Sequence, residues 1–158
     1  MEQEALRIPK LLKPVTLWVH PEGRVVGSLF LHPQSARGLG EEQPFEVLNH
    51  VVPFVVVRCD DPQGIRFYSK RAIVRVEYRE TQPLAESPGQ VCLDCSLYMM
   101  DGALLSGIIK EALPPGQARL YDYININDQR FIKLHTGDSG LCLVNKAYIV
   151  RITPDNDT

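Results

Sequence analysis

A chain of 158 residues with 44% hydrophobic side chains is enough for one ordinary domain or two small ones, and too apolar to stay disordered. Its formal net charge of −2 excludes an overall basic field that would draw the whole chain to phosphate or an acidic membrane surface. The acidic start, Met1-Glu2-Gln3-Glu4-Ala5, is not a signal-peptide pattern, and no apolar run reaches the ~18 residues of a membrane span, so a cytoplasmic location and no membrane partner are expected.

Residues 1–13 read as an N-terminal arm that Leu6, Leu11 and Leu12 could dock, with a short helix in it. Val15 to His20 is β-rich and ends at the turn Pro21-Glu22-Gly23, after which Arg24 to Leu31 reads as a second strand. His32 to Pro44 is a loop, and Phe45-Glu46-Val47-Leu48-Asn49 spaces its apolar residues as a helical turn. Pro53 to Cys59 suits a buried strand, and Asp60 to Gly64 is a turn. Ile65–Ser69 and Ala72–Arg79 are strands separated only by Lys70-Arg71, the length of a tight hairpin or a sharp bend.

Residues 80–90, with two prolines and a glycine, read as a linker. The same order then returns. Strands are expected at 91–99, 104–110, 130–136, 141–144 and 148–153, with a helical turn at 120–124.

Gly64 to Val76 lies over Gly140 to Ile152 without a gap at an offset of 76, with Gly, Lys, Ile, Val and Arg identical in register. Phe45-Glu46-Val47-Leu48-Asn49 matches Tyr121-Asp122-Tyr123-Ile124-Asn125, Phe54 matches Phe131, and Gly27 matches Gly107. Such self-similarity is one structural unit used twice. The expected organisation is a first repeat at 14–79, a second at 91–154 and a tail at 155–158.

Five short strands per unit cannot bury two faces as an open sheet, so a mainly β fold of two strongly bent small barrels is expected. The copies are expected to pack as a pseudo-twofold body across equivalent strands. Gly27 and Gly107 would allow the bending. Asn49 and Asn125 would end their helical turns in the left-handed conformation, and Phe54 and Phe131 would each anchor a core.

Val15-x-Leu17 followed by Gly23-Arg24-Val25-Val26-x-Ser28 resembles the first Sm motif of the Sm-like fold. Lys70-x-x-Ile73-x-x-Val76 and Lys146-x-x-Ile149-x-x-Ile152 are similar to the second, with Lys and a following non-Gly residue in place of Arg-Gly. The resemblance implies a small bent barrel and single-stranded RNA binding. The Asp and Asn contact loop of that family is replaced here by a longer loop and a helical turn. Leu120 to Asn125, Phe131 and Asn145-Lys146-Ala147-Tyr148-Ile149 also resemble uncharacterised bacterial domains, to which no activity attaches.

Gly137-Asp138-Ser139-Gly140 spells the nucleophile segment of chymotrypsin-like proteases, but that chemistry needs a His–Asp pair and oxyanion donors. The repeat aligns the tetrapeptide with Asp61-Pro62-Gln63-Gly64, a plain turn, so a hydrolase using Ser139 is the last of three readings. Cys92 and Cys95 have metal-motif spacing, yet an odd separation on a strand points them to opposite faces; no metal or cofactor is expected, and free thiols are.

The leading reading is a non-enzymatic protein-binding or self-associating assembly module. Its candidate contacts are Phe45, Leu48, Lys70, Tyr121, Tyr123 and Lys146, with the loop at 32–44 beside them. The second reading, an RNA binder, would use Arg71, Arg75 and Arg151 as phosphate contacts with the two lysines.

Overall fold

In the computed structural model, residues 10–35, 40–80, 88–116, 119–126 and 128–155 are described. The fold is mainly β. The first half contains β1 (Leu11–Val19), β2 (Gly23–Leu31), helix α1 (Pro44–Asn49), β3 (Phe54–Asp60), β4 (Gln63–Ser69) and β5 (Ile73–Arg79). The second contains β6 (Gln90–Met99), β7 (Leu104–Ala112), helix α2 (Leu120–Ile124), β8 (Phe131–Thr136), β9 (Gly140–Asn145) and β10 (Ile149–Pro154).

All ten strands join one antiparallel sheet in the order β10-β6-β7-β8-β9-β5-β1-β2-β3-β4. The first half runs β5-β1-β2-β3-β4 and the second β10-β6-β7-β8-β9, the same internal order. The halves meet where Arg75 faces Val144, Val76 faces Leu143, Glu77 faces Cys142 and Tyr78 faces Leu141. This seam joins the fifth strand of one half to the fourth of the other. The relation is therefore head to tail and not the expected twofold across equivalent strands.

Among the described residues the sheet is open, with β10 and β4 each hydrogen-bonded on one side only. Leu11, Leu12 and Lys13 belong to β1, so the arm is shorter than expected. Of the two expected alternatives, hairpin or sharp bend, the chain takes a bend: Lys70–Ala72 and Lys146–Tyr148 form single 3-10 turns. The strand after each turn leaves its predecessor: β5 pairs with β1, and β10 with β6. The expected arm helix lies outside the described residues, as do positions 36–39 of the loop, most of the linker at 81–87, and residues 156–158 of the tail. Asp155 is held, its N–H donating to the Asp94 carbonyl at 3.0 Å.

Bending is set by close approach. A Cβ on Gly27 would collide with the Arg58 carbonyl oxygen, and one on Gly107 would lie 2.6 Å from the His135 carbonyl oxygen. Both glycines have ordinary φ angles, so what they supply is room for β3 and β8, not conformational freedom.

Two apolar clusters fill the fold, and each borrows across the seam. Leu17, Leu29, Leu48, Val57, Ile73 and Val76 of the first half enclose Phe131, Leu141 and Leu143 of the second. Val74 of the first half joins Leu97, Met99, Ile109, Ile132, Leu134, Cys142 and Val144 of the second. Strand alternation explains this exchange, since 141 and 143 face one side of β9 and 142 and 144 the other.

Candidate functional site

The repeated polar residues divide by burial. Lys70 is 1% exposed, and its Nζ donates to the carbonyls of Val47 and His50 at 2.8 and 2.9 Å, tying off the end of α1. Burial, with Arg130 nearby, lowers its pKa. The 1% exposure of Lys70, with its ammonium turned to two helix-end carbonyls, places it inside the fold and not on the surface expected for a contact. Lys146 is half-buried and donates to the Ile126 carbonyl at 2.6 Å. Its pKa is lowered by burial, opposed by Asp128.

Arg75 is also removed from the surface. Its guanidinium stacks 4.0 Å from the centre of the Trp18 ring and lies 3.6 Å from Glu77 and 3.7 Å from Asp101. Asp101 sits in the β6–β7 turn of the other half, so Arg75 is a seam residue and not a phosphate contact. Arg151 is exposed and stacks 4.4 Å from the Tyr98 ring in the equivalent way.

Leu48 and Tyr123 are buried and are corrected as contacts. Leu48 fills the first core, and the Tyr123 hydroxyl donates to Glu111 and accepts from the Lys133 N–H, both at 3.4 Å. Phe45 packs half-buried under the Lys133 ammonium, 5.1 Å from its ring centre. Tyr121 is 69% exposed, leaving it alone among these aromatics as a free surface.

Asn49 and Asn125 adopt no left-handed backbone. Asn49 instead reaches across the seam to Phe131, accepting from its N–H at 2.8 Å and donating to its carbonyl at 3.2 Å. Asn125 donates to Tyr121 of its own helix. Asn145 donates across the seam to the Ile73 carbonyl at 2.9 Å. Phe131 is fully buried, whereas Phe54 is 56% exposed and belongs to neither core among the described residues.

Two surfaces stand out among the described residues. One is the free edge strand β4, where Ile65 (52% exposed) and Phe67 (70%) stand beside Phe54. No charge or alternation marked these residues as contacts. The available signal was the contrast between Ile65-Arg66-Phe67-Tyr68 and the uninterrupted apolar run Leu141-Cys142-Leu143-Val144. The other is a cleft of about 550 Å³ lined by Arg71, Arg130, Lys146, Asn145, Ala147 and Tyr148.

Ser139 lies in the β8–β9 turn, where its hydroxyl accepts from Arg79 at 3.4 Å and its carbonyl accepts from the Glu80 N–H. A guanidinium cannot take a proton from a nucleophile, so the partner seen at Ser139 is not a general base. Cys92 is exposed while Cys95 is buried, in line with their alternation on β6. Among the described residues no group of three or more His, Cys, Asp or Glu is arranged to hold a metal ion, and no helix is long and apolar enough to cross a membrane. Comparison with protein-family models, with curated proteins and with solved structures finds no match.

Proposed function

We propose that this chain is a non-enzymatic protein-binding module, built from a duplicated Sm-like unit whose strands bend around a small barrel-like core. The observation that carries the reading is the edge of β4. It combines unpaired backbone groups with the exposed side chains of Ile65 and Phe67. An unprotected apolar edge is a template for another strand, and proteins that do not use one blunt it with charge, Pro or a cover. A photoreactive benzophenone amino acid at position 67 tests this in living cells. A protein adduct is expected, and irradiation yielding none would overturn the reading.

A second reading is single-stranded nucleic-acid binding in the cleft between the 3-10 turns, favoured by the convergence of Arg71, Arg130 and Lys146. Binding of this kind falls steeply with salt. Labelled oligouridine titrated at low salt would show it, and a flat titration would remove it.

A further inference from the structure

We infer that the strand added to β4 is β10 of a second copy of this chain, antiparallel and in the register of the β5–β9 seam, so that copies join head to tail. This rests on the protein-binding reading and names its partner.

The seam is the template. Carrying its register forward by the repeat offset of 76 sets Arg151 opposite Tyr68 of the next copy, Ile152 opposite Phe67, Thr153 opposite Arg66 and Pro154 opposite Ile65. Several residues buried in the seam then have exposed counterparts at a free edge, although Tyr68, the counterpart of Val144, is itself buried. Leu143 is fully buried and Phe67 is 70% exposed; Leu141 is 2% exposed and Ile65 52%. Phe131 and Phe54 show the same contrast, as do Val74 and Val150.

The receiving side is correspondingly incomplete. Ile73 and Val76 are fully buried because Phe131, Leu141 and Leu143 cover them, whereas their counterparts Ile149 and Ile152 are only partly buried. Among the described residues, the second core has ten partly buried apolar residues packed against it and the first three, so the second is the less covered of the two. Phe54, Ile65 and Phe67 of a following copy are the groups that would cover it.

Polar groups follow the same rule. Arg75 stacks on Trp18 and faces Asp101 across the seam; Arg151 stacks on Tyr98 and would face Glu22 of the next copy, in the corresponding turn. Asn49 clamps Phe131 across the seam, while Asn125 is left with its own helix and would meet Phe54. Pro154 has no N–H to donate, so the ladder loses at most one bond, at the last residue of β10. Because the two edges differ, this contact does not close on itself as a dimer; it continues into a ring or a filament.

Facing residues of an antiparallel pair have Cα atoms about 4.5–5.5 Å apart, within disulfide reach. On a Cys92→Ser background, an Arg66→Cys chain is mixed with a Thr153→Cys chain of distinguishable mass under mild oxidation and read by intact mass. The mixed disulfide is expected, with native masses of the unmodified protein at multiples of one chain. Arg151→Glu should weaken this association about tenfold, and adding Glu22→Arg should restore it, a rescue that misfolding cannot mimic. A disulfide between two Arg66→Cys chains would overturn the inference in favour of a twofold contact. A single-chain mass with no mixed disulfide would also overturn it. If position 67 then crosslinked only to other proteins, the protein-binding reading would stand without this partner.

Discussion

The side-chain amide of Asn49 holds both backbone groups of Phe131, 82 positions later, accepting from its N–H and donating to its carbonyl. One polar side chain at the end of α1 thereby fixes the position of β8 in the other half and delivers the Phe131 ring to the first core. Asn49→Ala leaves two backbone groups without these partners, at about 1 kcal/mol or more each. A loss of about 2–3 kcal/mol is expected in urea unfolding. Asn125→Ala in dilute protein should cost less than about 1 kcal/mol, since its amide meets only an exposed carbonyl of its own helix.

Gly27 and Gly107 mark where β3 and β8 press against bent strands. Alanine at either position forces backbone against backbone and should cost about 1–3 kcal/mol. Gly64, with nothing near its missing Cβ and no positive φ, is the control: Gly64→Ala should leave the thermal midpoint within about 2 °C.

Cys92 is the exposed thiol; Cys59, Cys95 and Cys142 are buried. Burial pushes the Cys95 thiol up to about 11 and the Cys142 thiol up to about 12, leaving almost no thiolate at neutral pH. Brief treatment of the folded protein with iodoacetamide at pH 7.5 should add a single adduct by intact mass, lost in Cys92→Ser. Treatment in denaturant should add four.

Burial, helped by Lys133 and Lys110, lowers the His135 pKa from 6.5 to about 4. As pH falls, the unfolded chain takes up this proton near 6.5 and the folded chain only near 4. Stability contributed by the neutral ring is therefore present above about pH 6.5 and is lost between there and about 4. The ring is partly exposed, so solvent screening limits the effect to about 1–2 kcal/mol. Unfolding of His135→Gln should show a correspondingly shallower pH dependence across this window.

The strands were legible in the sequence because most of them alternate: Leu93, Cys95, Leu97 and Met99 of β6 are buried with half-exposed residues between. The helical turns were legible from apolar spacing at Phe45–Asn49 and Leu120–Ile124. The seam is barely legible in the sequence, because pairing between distant strands leaves little local trace. Its one trace is that β9 reads as a continuous apolar run, the mark of a strand packed on both faces, whereas β5 carries Arg75, Glu77 and Arg79 among its apolar residues. Lys70 misled for a different reason. A lysine beside a turn is normally solvated, and only the fold brings the carbonyls of Val47 and His50 to its ammonium.

The exchange of side chains across the seam sets the order in which the chain can mature. A nascent chain synthesised as far as Arg79 has α1 and five strand segments, yet the first core still lacks Phe131, Leu141 and Leu143. Until they are made, that core is expected to stay open to water on the side they cover. Domains that fold one after another during synthesis avoid that interval. Here each half contributes side chains to the other's core, so the polypeptide is expected to unfold in one cooperative transition despite its repeated strand order.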